Sequence, residues 1–291
     1  MAFRPFQLRP GEELRNGLVR IVALIGNKAE ILPGFRAGNG EAPIHEARLL
    51  VKLLRALVWM ARPALEKSAS HLIRKHLRSA AACLADSRDA AVLTSTLSNL
   101  SRQASGSRSQ AGYALAKEVL AAKLTAPGEA SVRRKLAVTA RHLAQASLLF
   151  QRGAETTPRP WPSMLKRERV AARSCDKAMK RALSTCRAGD FHEWRKTAKR
   201  FLFLLRVTET APGPARRKEV DLFDQLQSKL GDHHDLVVLE GHFRKSALLS
   251  KRRHAARNVL GHIRRRKAVL EKQTEHLGRR CHRAGAEWLE N

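Results

Sequence analysis

Two histidines open closely similar basic segments. "IHEARLLVKLLRALV" (Ile44–Val58) and "FHEWRKTAKRFLFLL" (Phe191–Leu205) each place Glu directly after the His, Arg three residues on and Lys seven on. On a helix turning about 100° per residue, that spacing gathers the basic groups into one stripe. The first stripe holds His45, Arg48, Lys52 and Arg55. The second holds His192, Arg195, Lys199 and Arg206, widened by Lys196 and Arg200. Apolar side chains such as Leu50, Leu54, Leu57, Trp194, Phe201 and Leu205 take the other arc, as an amphipathic helix requires. Neither Lys52 nor Arg55 has a Glu at i−4 or i+4, so helix-surface ion pairing is not their purpose. Imidazole, guanidinium and ammonium donors on one rigid face suit an anion, phosphate above all. An empty imidazole beside Arg48 or Arg195 is pushed towards neutral, whereas a bound phosphate favours its protonated form.

Catalytic readings of the same residues fail on spacing. His45-Glu46 and His192-Glu193 resemble the start of a zinc-protease motif, but the fifth positions are Leu49 and Lys196 rather than His. His233 and His234 are adjacent, not one turn apart, which is wrong for a metal pair. No phosphate-binding Gly-rich loop and no acidic cluster for Mg²⁺ are evident. Cys83, Cys175, Cys186 and Cys281 are scattered and include no CxxC pair, so a zinc ribbon or a disulfide framework is not suggested. The expectation is a chain with no catalytic residues, no metal and no cofactor.

A second repeat lies downstream of each stripe. "LADSRDAAVL" (Leu84–Leu93) and "LGDHHDLVVL" (Leu230–Leu239) share Leu, Asp, Asp, Val and Leu at the same spacing. The offset is 146 residues here and 147 at the histidines, so one residue of loop separates the two registers. Two matches in the same order indicate duplication. Asp89 and Asp235 are expected where a helix restarts, each capping free N–H groups. Arg88 and His234, just before them, are further candidates for the ligand. Arg133 and Arg134 in one half, and Arg264, Arg265 and Arg266 in the other, add basic positions on the last long helix of each.

The elements that position these groups are helical. Aromatics are only 5% of the 291 residues, and Ala, Leu, Arg and Lys dominate. Periodicity predicts helices over 10–31, 43–61, 64–86, 89–104, 109–123 and 129–151. After the Pro-rich link "TTPRPWP" (Thr156–Pro162) it predicts 163–187, 190–208, 215–231, 235–249 and 253–289, the last open to interruption at Gly278. The fold expected is all-α: two related helical bundles, residues 1–155 and 163–291, facing one another.

Net charge is +30, and the excess divides almost evenly between the halves. Each half therefore repels itself, which makes sense if a polyanion is the usual partner. No signal peptide is read at the N-terminus and no run of about 18 apolar residues occurs, so the expected location is cytoplasmic, with no membrane partner.

These residues resemble the CHAD family, α-helical domains named for their histidines. The family pattern is His-x-x-Arg-x-x-x-Lys/Arg followed by an "RD" or "HD" turn before a Val/Leu helix, all of it twice. Here it reads His45, Arg48, Lys52, Arg55 and Arg88-Asp89, then His192, Arg195, Lys199, Arg200 and His234-Asp235. The resemblance implies two bundles related by a pseudo-twofold with a basic groove or channel between them, together forming one domain. It also implies binding of inorganic polyphosphate and, in some members, association with polyphosphate granules. Leu53 and Leu202 stand where the family often has basic residues, so unequal walls are expected. No strands of the triphosphatase type fused to some members are apparent, which implies a stand-alone, non-catalytic binding module. Other polyanions, including nucleic acid bound nonspecifically through its backbone, and an enzyme of polyphosphate metabolism are the alternatives.

Overall fold

A computed structural model describes residues 4–34, 41–104, 107–121, 128–209, 216–244 and 253–290. Among them are ten α-helices and no strand: α1 (Leu14–Ile31), α2 (Glu41–Ala61), α3 (Lys67–Cys83), α4 (Ala85–Arg102), α5 (Ser107–Ala121), α6 (Glu129–Thr156), α7 (Met164–Thr185), α8 (Ala188–Val207), α9 (Arg216–Arg244) and α10 (Arg253–Glu290). The all-α class read from composition and periodicity is the class observed. The residues sort into two compact units. Unit 1 comprises Met1–Asp86, Pro127–Arg173 and Arg200–Val220; unit 2 comprises Ser87–Ala126, Ser174–Lys199 and Asp221–Asn291.

Unit 1 is organised on α6, which packs along α1 and α3 and also touches α2. Gly153 lies against Leu65 and Ala69, while His142 meets His76, so α6 runs antiparallel to α3. Small residues allow the close approach to α1: a Cβ on Gly26 would stand 3.3 Å from the Ser147 Cβ. The core is built from Leu18, Ile21 and Ile25 of α1, Leu50, Leu54 and Leu57 of α2, and Leu143 and Phe150 of α6, all fully buried. Each such side chain contributes about 1.5–3 kcal/mol relative to remaining exposed. The α2 residues are those of the apolar arc opposite the first basic stripe.

Unit 2 is held by a cluster in which Leu93, Leu97 and Leu100 of α4 meet Tyr113 and Leu120 of α5, Leu236, Leu239 and Phe243 of α9, and Ile263 and Leu270 of α10. The N-terminal end of α8 belongs here too. Its corner with α7 is fixed by Asp190, which accepts from the Thr185 hydroxyl and the Arg181 guanidinium, each at 2.7 Å. Those contacts, the Thr185 hydroxyl first, hold the Asp190 carboxyl below the usual carboxylate range. Cys186 makes the turn with φ 52°, the left-handed conformation that closes many helix ends.

Three sequence expectations are corrected. The break expected between 231 and 235 does not exist: α9 is continuous from Arg216 to Arg244, so Asp235 lies inside it rather than at a helix start. Leu226, Leu230, Leu236, Leu239 and Phe243 are all buried, and this unbroken apolar stripe carries the helix through Gly231. A helical Gly costs about 1 kcal/mol relative to Ala, which such burial easily offsets. Likewise α4 starts at Ala85, which places Asp89 within its second turn rather than at its start. Nor is α10 interrupted at Gly278. That glycine is there for packing, because a Cβ would come within 2.6 Å of the Trp194 ring and 2.7 Å of the Met179 sulfur.

Candidate anion-binding site

The first basic stripe lies in unit 1, and the structure distinguishes among its members. His45 is exposed and Lys52 half-buried. The Arg48 guanidinium donates to the carbonyl of Leu84 and, at 3.3 Å, to that of Ala85, where α3 ends and α4 begins. Arg55 donates to the Leu77 carbonyl at 2.9 Å. Both arginines therefore tie α2 to the C-terminal part of α3, besides the charge they present.

Around Arg55 opens a cavity of about 440 Å³. Its cations are Arg55 and Arg62 from the α2 end, Arg74 and Arg78 from α3, and Arg200 from α8. Val58, Trp59 and Leu77 supply the apolar wall, and none of the described residues lining it is acidic. Arg62, Arg74 and Arg78 are exposed and make no ion pair among the described residues. Arg167 braces the Trp59 wall: its guanidinium donates to the Trp59 carbonyl at 2.6 Å and lies 3.9 Å from the centre of the indole ring. Arg200 approaches the same ring at 5.1 Å. Trp59 thus holds two guanidinium groups by cation–π contact.

The electrostatics of this pocket are those of crowded like charge. Burial and then Arg78 push Arg55 below its ordinary value. Burial, then Arg62 and Arg200, do the same to Arg167. Positive charges forced together leave a strong field for an anion to neutralise. Arg55 comes from the first sequence motif and Arg200 from the second, so one cavity draws on both. Arg62, Arg74, Arg78 and Arg167 were not among the sequence candidates. The signal for two of them was present: α3, "KSASHLIRKHLRSAAAC", contains five basic or histidine residues beyond its opening Lys and no acid at all.

In unit 2 the second stripe forms a different arrangement. His192 of α8 and His234 of α9 face each other, Nδ1 to Nδ1, at 3.3 Å with ring centres 4.7 Å apart. One ring donates and the other accepts, so the contact needs at least one neutral imidazole. Burial, followed by Lys196 and Arg195, lowers the His192 pKa, the direction expected from the sequence. Arg195 and Lys199 are half-buried, and Gln227 donates to the Arg195 carbonyl at 2.8 Å. Lys196 pairs with Glu193 at 2.7 Å. His233 is structural: it is buried, its Nε2 sits 3.1 Å from Glu271, and its ring packs on Phe191.

The remaining candidates are dispersed. Arg206, in unit 1, is half-buried and does not line the arginine cavity. Arg133 makes a surface pair with Glu129 at 3.1 Å, and Arg134 is exposed beside it. Arg264 approaches Glu240 at 3.8 Å, whose nearer partners are Arg244 and Lys267. Arg265 and Arg266 line one cavity in unit 2, and Arg266 also lines a second that adjoins it. Arg88 lies on α4, but its side chain falls outside the described residues. Among the described residues no group of three or more His, Cys, Asp or Glu side chains is placed to hold a metal ion. None of their helices is long and apolar enough to cross a membrane.

The family model for the CHAD domain matches residues 28–244, well over half of the chain. The chain belongs to the CHAD family. The match takes in both His-x-x-Arg motifs and the arginine cavity, and ends with α9; α10 lies beyond it. No curated protein and no solved structure matches the chain. CHAD membership is consistent with a polyphosphate-related function.

Proposed function

We propose that this protein binds inorganic polyphosphate without hydrolysing it, and that the two motif copies serve the same polyanion. The observation that carries the reading is the cavity in unit 1, where Arg55, Arg62, Arg74, Arg78 and Arg200 converge and none of the described lining residues is a carboxylate. A linear chain of phosphates carries about one negative charge per unit and has no other recognisable feature. The site that suits it is a dense array of fixed donors. Arginine is the better choice because its planar fork donates two parallel hydrogen bonds to a phosphate. Trp59 supports the array through cation–π contact with Arg200. CHAD membership supports the same ligand.

The pseudo-twofold pairing of two bundles about a basic groove, a cytoplasmic setting and association with polyphosphate granules belong to this reading as its further parts. The duplicated motif supports the first of them. The mechanism is binding by charge neutralisation: phosphates displace water and counterions from the arginines and favour protonation of His192 beside Arg195 and Lys196. The test is a titration of the full chain with long-chain polyphosphate, followed by phosphate release assayed with and without Mg²⁺ or Mn²⁺. Saturable binding with no release above background is expected. Metal-dependent release that disappears in a variant lacking the cavity arginines would make the protein an enzyme instead.

A further inference from the structure

Unit 2 contains a recess whose chemistry differs from that of the arginine cavity. Two adjoining cavities, of about 290 and 230 Å³, share Leu100, Gln103 and Arg266 as a common wall. They lie among α4, α9 and α10, and α10 is beyond the span matched by the family model. Together they reach the size range of small-molecule sites, which begins at about 300 Å³. The larger one has Leu236 and Leu270 of the unit 2 core for a floor. Asn99 and Asp232 face it as well. The smaller is lined by Arg265 and His262. A carboxylate and an apolar floor are wrong for a bare phosphate chain, so this is not an extension of the basic surface.

We propose that this recess is a nucleotide site, with the base of a guanine nucleotide in the larger cavity and its phosphate at Arg265 and Arg266. The assignment follows from the donors and acceptors on the wall. Asp232 is an acceptor that matches the two adjacent N–H groups on the edge of guanine. Arg102 donates to Asn99 Oδ1 at 2.6 Å, which leaves the Asn99 amide N–H₂ as the outward donor for a ring carbonyl. A flat face of the base suits the apolar floor of Leu236 and Leu270. At the phosphate end, His262 Nδ1 is engaged by the Tyr113 hydroxyl at 3.0 Å, which leaves Nε2 as the ring nitrogen for a ligand, and Arg265 lines the same cavity. Burial raises the Asp232 pKa, against the pull of Lys229 and Arg266, so the carboxylate is underserved and gains from two added donors. The site is independent of polyphosphate binding.

The test is calorimetric titration of the full chain with GMP, AMP and inorganic phosphate at one salt concentration. GMP is expected to bind about tenfold more tightly than AMP, since one well-placed pair of base hydrogen bonds discriminates by about that much or more. Inorganic phosphate should bind more weakly than either. Asp232→Asn, which preserves shape, should abolish the preference for GMP, and Arg266→Gln should weaken both nucleotides. Arg74→Ala/Arg78→Ala, in unit 1, should leave GMP binding unchanged. The proposal is overturned if phosphate alone binds as well as GMP, if GMP gives no heat at millimolar concentration, or if Asp232→Asn leaves the GMP to AMP ratio intact. It is also overturned if nucleotide binding disappears with the Arg74 and Arg78 pair.

Discussion

Replacing Arg74 and Arg78 together with alanine removes two cations from the unit 1 cavity and little else. Both are exposed, neither makes an ion pair among the described residues, and alanine is the strongest helix former. Arg78 also disfavours the charge on Arg55, so its removal relieves repulsion in the free protein. Folding stability should therefore be unchanged or slightly higher. Binding should not be. A hydrogen bond to a charged group is worth about 1.5–3 kcal/mol, and exposed rim arginines belong at the lower end. Two of them give about 3 kcal/mol, or a loss of affinity of about 100-fold. Each phosphate contact on a single-stranded polyanion contributes about 0.7 to the slope of log K against log salt, so the slope should fall by about 1.4. Fluorescence anisotropy with end-labelled polyphosphate at four or five salt concentrations yields both numbers. An affinity within twofold of the parent, with the slope unchanged and the fold intact, would refute the assignment of this cavity to the ligand.

Four further outcomes follow from the same geometry. Trp59→Leu frees Arg167 and Arg200 from the indole and should weaken polyphosphate binding about fivefold, at about 1 kcal/mol for the lost cation–π support, measured by the same anisotropy assay. Gly278→Ala forces a methyl group towards Trp194 and Met179; overpacking of about 1–3 kcal/mol should exceed the gain in helix propensity and lower the urea midpoint. The pKa values of His142, His192 and His262 are all lowered in the folded protein, burial being the first cause of each. The unfolded chain then binds more protons below about pH 6.5, so stability should fall as the pH drops from 6.5 through the folded values, read as a lower urea midpoint at pH 5.5 than at pH 7.5. Bound polyphosphate should reverse the shift at His192, raising its NMR titration midpoint and making affinity greater at pH 6 than at pH 8.

The parts of this protein legible in its sequence are those governed by helical periodicity. The apolar arc of α2 predicts its buried face residue by residue, because Leu50, Leu54 and Leu57 have no other place to go. The His-x-x-Arg repeats were likewise visible as spacing. Helix ends and polar contacts were not. "LGDHHD" has the polarity of a turn, and only the burial of Leu236, Leu239 and Phe243 shows that α9 continues through it. Arg48 looked like a ligand residue, yet its bonds to the Leu84 and Ala85 carbonyls depend on where α3 stops, which no local pattern specifies. The cavity arginines divide in the same way. Arg55 and Arg200 were found through their motifs, whereas Arg167 reaches Trp59 only through tertiary packing across 108 residues of sequence.

The central claim is that the ligand is polyphosphate rather than any polyanion. Competition decides it: labelled long-chain polyphosphate bound to the full chain is challenged, at one salt concentration, with unlabelled polyphosphate and with duplex DNA of equal phosphate content. The account predicts displacement by polyphosphate at a concentration at least tenfold lower than by DNA, because a flexible unbranched chain can enter a cavity of about 440 Å³ that a duplex cannot. Equal or better displacement by DNA would contradict it and leave the arginines as a general phosphate-backbone surface.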